Sequence, residues 1–333
     1  MRIANSEEIA EGDDGYGWRL LAEAVPEIAS GEWALLACVV TEVRKQRGKR
    51  IMTCALDYVP DGNGEARTDQ LLVKIYGSDR GRPGYEALRE LWRAGFRPPR
   101  ALRVPRPYGY SGSHGALVQE RVGGQPWADA LRPGPRSLRL SSVRAADWLV
   151  RLQLSGVEAP DRGYEDRFFA VGRFVDELAE LSPAHDRVLR RLADTLEPLL
   201  GEPARPLVPS HGDFHPKNVL IGGRATTVID FDTFGLREPA FDVGYAIGQL
   251  LVMSFLRLGD PSRGVEASQA FWDRYVARGG AAGWDRTAVH VARTLLQSLH
   301  YELCTLRTGR VELLRLWPQL AGSWLVSERP VEA

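Results

Sequence analysis

His211-Gly212-Asp213-Phe214-His215-Pro216-Lys217-Asn218, together with the downstream Val228-Ile229-Asp230-Phe231-Asp232, is the part of the chain on which its reading turns. It sets one carboxylate, an amide five residues later and a second carboxylate twelve beyond that, the last approached by an apolar, strand-like run. Phosphoryl transfer asks for such a set. Its transition state spreads negative charge over oxygens, so the protein holds a divalent metal and orients a hydroxyl, with little covalent chemistry of its own. Asp213 can accept a hydroxyl proton. Asn218 and Asp230 offer the hard oxygens that Mg²⁺ takes beside nucleotide phosphates.

The residues between them support a common placement. Val219-Leu220-Ile221 and Thr226-Thr227-Val228-Ile229 read as two short strands joined by a glycine turn, and an antiparallel hairpin brings its two ends, Asn218 and Asp230, to one mouth. Two other readings stand beside this one. On a strand His211, Asp213 and His215 share a face and resemble a hydrolase metal triad, but no further His or Cys lies nearby and Pro216 breaks the strand. A polar surface loop is the other, and it has no need of a following hairpin that ends in Asp-Phe-Asp.

The stretch resembles the catalytic and metal-binding loops of the aminoglycoside phosphotransferase and choline kinase-like family, relatives of the protein kinases, with His-Gly-Asp in place of His-Arg-Asp and Asp-Phe-Asp in place of Asp-Phe-Gly. The match is specific over about 211 to 245. The resemblance implies that Asp213 is the catalytic base, that Asn218 and Asp230 are magnesium ligands, that His211 is a structural brace, and that Asp242 anchors the loop without doing chemistry. It also implies a protein kinase-like bilobal fold with ATP between the lobes, GTP remaining open.

Lysine is scarce, with four residues against 39 arginines, so each position carries information. Lys74 interrupts the apolar strand Gln70-Leu71-Leu72-Val73-Lys74-Ile75-Tyr76 and needs a partner there, unless the strand is an edge whose lysine faces solvent. By resemblance it binds nucleotide phosphates and pairs with a glutamate of the next helix, Glu86 or, one turn on, Glu90. Upstream, Trp33–Val40 and Ile51–Tyr58 are strand-like around the basic turn Arg47-Gly48-Lys49, which reads either as a phosphate contact or as a solvated tip, since no Gly-x-Gly-x-x-Gly loop is present. Asp61-Gly62-Asn63-Gly64 reads as the next hairpin turn. The run from Arg80 to Arg106 holds eight arginines and is either a steering field for anionic nucleotide or a solvated, proline-rich connector. Ala116–Gly124, an apolar strand running into a glycine pair, resembles the family's hinge between lobes, where the backbone of about Gln119 to Arg121 faces the adenine edge; it reads equally as a strand ending in a turn.

Beyond Gly124 the apolar spacing turns helical, over Val143–Leu154, Phe168–Leu181, Val188–Leu200, Phe241–Leu258 and Thr287–Leu306. A sheet-rich first third and a helical remainder make an α+β chain, with an antiparallel-sheet N-lobe over 1–120 and a mainly helical C-lobe over 121–333. Balanced charge, 43 basic against 43 acidic residues, gives no drive toward nucleic acid or an anionic membrane. Cys38, Cys54 and Cys304 are odd in number, sit in apolar runs and lack Cys-x-x-Cys spacing, which reads as reduced thiols without a disulfide framework. The acidic start and the lack of a membrane-length apolar run make the cytoplasm the expected location.

The expectation is therefore a Mg-ATP-dependent kinase acting on a hydroxyl of a small-molecule antibiotic or metabolite. A pseudokinase-like nucleotide-binding module without turnover is the alternative. Protein kinase activity is disfavoured by His-Gly-Asp and by the lack of an Ala-Pro-Glu segment. Asp232, Glu238 and the acids Glu158, Asp161, Glu165 and Asp166 are candidates for attracting a cationic acceptor. Trp284, His300, Tyr301 and Glu302 are candidates for walling its cleft.

Overall fold

The computed structural model describes residues 14–329 apart from 47, 61–63, 134–136, 163–169 and 202. Arg47, the turn residues Asp61, Gly62 and Asn63, and the acids Glu165 and Asp166 lie outside the described residues. The chain divides into two units, Met1–Gly124 with Gly222–Thr233 and Gln125–Ile221 with Phe234–Ala333. The return of 222–233 to the first unit is not anticipated by a single cut near residue 120.

The first unit opens with helix α1 (Asp14–Ala24) and the single turn α2 (Pro26–Ala29), then strands β1 (Trp33–Gln46), β2 (Lys49–Pro60) and β3 (Arg67–Ile75), helix α3 (Arg82–Arg93), and strands β4 (Leu102–Arg103), β5 (Pro107–Ser111) and β6 (Ala116–Glu120). Five of the strands form an antiparallel sheet in the order β1-β2-β3-β6-β5. Period-two alternation sends Leu71, Val73 and Ile75 of β3 into a core with Leu20 and Leu21 of α1, each such side chain worth roughly 1.5–3 kcal/mol when fully buried. Lys74 therefore points to the other face, in register with Ile51 and Leu117. Helix α1 was hidden in a segment whose acids dominated its reading. The β1–β2 arm is also longer than expected, because pairing continues to Gln46↔Lys49.

Helix α3 buries Gly84, Ala87, Leu88 and Leu91, a three-and-four stripe that leaves Glu86 exposed on the opposite side. Gly109 of β5 is a glycine because a Cβ there would overlap the carbonyl of Ala24 at the end of α1.

The second unit begins with β7 (Gln125–Pro126) and α4 (Leu138–Gln153), whose Ser137 side chain caps the helix by accepting from the Leu140 amide. Then come α5 (Val171–Leu181), α6 (Asp186–Leu200), β8 (Val208–Ser210) and β9 (Val219–Gly222). The chain next crosses the first unit with β10 (Ala225–Val228), which pairs in parallel with β4, and returns with β11 (Gly235–Arg237), antiparallel to β8. Helices α7 (Ala240–Leu258), α8 (Ser262–Ala277), α9 (Trp284–His300) and α10 (Leu313–Leu325) follow, with a π turn over Tyr301–Thr305. The expected sheet-then-helix order holds, while α8 and α10 had no clear spacing to announce them. Helix α7 is long and apolar enough to cross a membrane, yet 72% of its most apolar window is buried within the protein. Its Gly244 and Gly248, four apart and so on one face, let α9 approach until any Cβ would collide with His290 or Thr294.

Candidate active site

In the second unit, β8 delivers the chain into the loop 211–218, which is held by its own polar groups. Asp242, fully buried in the first turn of α7, accepts the amides of His211 at 2.6 Å and Gly212 at 3.0 Å. Burial raises the carboxyl of Asp242 above its ordinary range, while neighbouring His211 and Arg237 and the two amides pull it back down. Gly212 has φ +80°, a left-handed turn that suits glycine and redirects the chain so that Asp213 emerges half-buried. His211 is fully buried and its Nδ1 accepts the Asp213 amide at 3.2 Å. Phe214 is driven the other way, into the core against Trp148. The Asn218 amide group donates to the Asp213 carbonyl at 3.0 Å and to its carboxylate at 3.4 Å, which orients the Asn218 side-chain carbonyl away from Asp213. The brace expected of His211 and the anchor expected of Asp242 are thus present as geometry, and Asp213 and Asn218 meet.

The first unit holds a second polar cluster. Lys74 is buried and pairs closely with Asp230, and it also donates to Asp232 at 3.3 Å. Burial alone would pull its ammonium down, but the two aspartates outweigh it and leave the pKa raised. Asp230 follows β10 with φ 70°, one of two non-glycine residues in the left-handed region among the described residues. Asp232 also accepts the Tyr76 hydroxyl at 2.7 Å and the Lys49 ammonium at 2.8 Å.

Several expectations are corrected by these contacts. The partner of Lys74 is neither Glu86, which is exposed, nor Glu90, which pairs with Arg93; two aspartates from a distant segment take that role. The reason lies at Gly84, where a Cβ would stand 3.3 Å from the Asp232 carboxylate, so α3 offers backbone on this side while Glu86 is turned away. At the expected hinge, the amides of Glu120 and Arg121 already donate to Arg106 and Gln70 within the sheet, and Gln119 is buried. Their N–H groups are engaged, and the next amides along the chain belong to Val122 and Gly123.

Glu238 is not an acceptor-binding acid: it is fully buried, takes Arg286 at 2.7 and 2.9 Å, and accepts from the Ala204 amide. His290 sits against it at 2.5 Å, its pKa pushed down to about 4, chiefly by burial. Trp284 donates to Ser327 and packs among Trp272 and Trp324, while His300 meets Glu177 at 2.6 Å. Tyr76 has a role that sequence reasoning missed, while Lys49 belongs to the basic turn read either as a phosphate contact or as a solvated tip. The scarcity of lysine was the further signal for Lys49, and a place two residues after Lys74, on the same face of the strand's continuation, was the one for Tyr76.

An antiparallel sheet carrying a buried lysine, a helical unit, and a His-Gly-Asp loop anchored on a helix aspartate define a phosphotransferase of the protein kinase-like class. The model of the "Phosphotransferase enzyme family" matches residues 64–290, and the chain belongs to that family. Among solved structures, a choline/ethanolamine kinase family protein from Mesorhizobium loti aligns with TM-score 0.56 at 19% identity, over 94% of this chain and 95% of that one. A glucosamine kinase gives 0.52 at 18%, over 88% and 92%. An aminoglycoside phosphotransferase, a thermostable mutant captured with ADP and hygromycin B, gives 0.56 at 13%, over 86% and 95%. At these identities the likeness carries the fold. No curated protein matches the chain.

Proposed function

We propose that this enzyme transfers the γ-phosphate of ATP, with Mg²⁺, to a hydroxyl of a small-molecule antibiotic or metabolite. The observation that carries the reading is the Asp213 loop: a half-buried carboxylate held from both sides by its own loop, on an anchor that does no chemistry. In this reading Asp213 accepts the proton of the attacking hydroxyl and orients it, and pre-set position supplies most of the acceleration. Lys74 binds nucleotide phosphates.

The donor set suits Mg²⁺, because a side-chain carbonyl turned away from Asp213 and a carboxylate are both hard oxygens. Asn218 and Asp230 would hold it, and bound there it would neutralise charge on the phosphates. The non-glycine left-handed backbone of Asp230 fits a functional position, since such conformations gather at active sites. We also read the enzyme as cytoplasmic, with a small-molecule partner and no nucleic acid or membrane; burial of most of α7 supports this.

The test is a panel of hydroxylated compounds, beginning with choline, glucosamine and hygromycin B, incubated with protein, ATP and Mg²⁺ and read by mass. A gain of one phosphate on an acceptor supports the reading. Binding of nucleotide with no transfer across a broad panel would favour the non-catalytic module.

A further inference from the structure

Two of the chain's four lysines converge on one pair of aspartates, and only Lys74 is accounted for above. Lys49 stands at the start of β2, at a hairpin tip where a lysine ordinarily faces water, as its neighbour Lys45 does. Its side chain is instead only 14% exposed. The ammonium lies 2.8 Å from Asp232 Oδ2, 3.6 Å from Asp230 Oδ1 and 5.5 Å from the centre of the Tyr76 ring.

We propose that Lys49 is a second phosphate-binding lysine acting beside Lys74, and that Asp232, fixed by the Tyr76 hydroxyl, is the anion that occupies both ammonium groups until phosphate displaces it. This rests on the phosphotransferase reading above and adds the device that replaces a glycine-rich phosphate loop in this chain. Such a loop offers backbone amides to phosphate, and β1 and β2 supply no Gly-x-Gly-x-x-Gly for it. A fixed charge at the same tip does the work instead.

The asymmetry of the cluster points to an anionic ligand. The lysine side chains are 14% and 6% exposed, whereas Asp230 and Asp232 keep 34% and 27% of theirs open. The cost of stripping water from the cations is therefore already met in folding. A polyphosphate arriving from the open side exchanges one set of anionic oxygens for another around the same two ammonium groups, with little further desolvation. Gly84 belongs to the same arrangement: it leaves the space in which Asp232 stands beside α3.

The protein is titrated calorimetrically with ADP, inorganic triphosphate and adenosine, in EDTA and again with Mg²⁺. Lys49→Met should weaken ADP and triphosphate about tenfold to a hundredfold, the range of a lost charged hydrogen bond, and leave adenosine unchanged. Lys49→Arg should restore most of the loss. Asp232→Asn removes an anion that competes with phosphate, so in EDTA it should tighten ADP. An ion pair that merely holds the fold predicts the opposite pattern, with both variants weakening ADP and adenosine alike, and that result would overturn the proposal. Wild-type protein that binds ADP while Lys49→Met binds it equally well would remove the role of Lys49 and leave the phosphotransferase reading standing. Wild-type protein that binds neither ADP nor triphosphate would remove both.

Discussion

Asp213 is braced from within the loop 211–218 by His211 and Asn218, with Asp242 and the Ala128 amide holding the loop from farther along the chain, whereas Lys49 and Lys74 meet Asp232 across separations of 183 and 158 residues. The loop is held by amides that donate to an imidazole, to carbonyls and to a buried carboxylate, and the lysine cluster by ion pairs. A loop braced by short-range hydrogen bonds keeps its shape whatever is bound nearby. A cluster of exchangeable ions is suited to trading partners, because its cations are dry and its anions remain open.

The largest effect should come from the loop. Asp213→Asn keeps the shape and the Asn218 contact to the backbone but removes the proton acceptor, so kcat should fall by about 10²–10⁴-fold. Melting temperature and ADP affinity should stay near wild type. A variant within about twofold of normal turnover would deny Asp213 the role of base.

Next comes the cluster. Asp230→Ala leaves Lys74 buried with Asp232 as its carboxylate partner, and the expected cost is up to about 3 kcal/mol in a denaturant melt, less than for a pair broken completely. Nucleotide affinity should also lose its dependence on Mg²⁺. Equal affinities with and without the metal in wild-type protein would deny Asp230 the role of a magnesium ligand.

Acid should separate the units. Burial holds the His290 pKa near 4 in the folded protein, below the ordinary 6.5, so the unfolded chain binds the extra proton first as pH falls. Stability from this group is present above pH about 6.5 and is lost progressively down to about 4. The second unit should lose hydrogen-exchange protection in that window, while the first, whose Lys74 is raised above its normal value, should not follow it through lysine titration. His290→Gln should flatten the acid limb, and an unchanged limb would place the sensitivity elsewhere.

The smallest effect is expected at α3. Glu86 is exposed and away from Lys74, so Glu86→Gln should change stability by no more than about 0.5 kcal/mol and leave ADP affinity alone. A large loss of ADP affinity would mean that the helix glutamate does reach the lysine when nucleotide is bound.

The order of elements and the His-Gly-Asp loop were legible in the sequence because they rest on short spacings: an alternating strand, a glycine at a left-handed turn, an amide five residues from a carboxylate; the anchor Asp242, 30 residues from Gly212, was implied only by the family resemblance. Helix α1 was missed because its acids masked its apolar positions, and α8 because small and polar residues dilute its stripe. The partner of Lys74 was misjudged for a different reason. Charge tells that a buried lysine needs an anion, but not which of several acids can reach it. That choice was made by Gly84, which gives α3 no side chain toward Asp232, and by the return of 222–233 to the first unit. Local chemistry thus determined what kinds of groups this protein carries and which loop is held in place. Packing alone decided that Lys49 leaves solvent and that Glu238 closes on Arg286 and His290, because long-range pairing depends on distances that no spacing along the chain encodes.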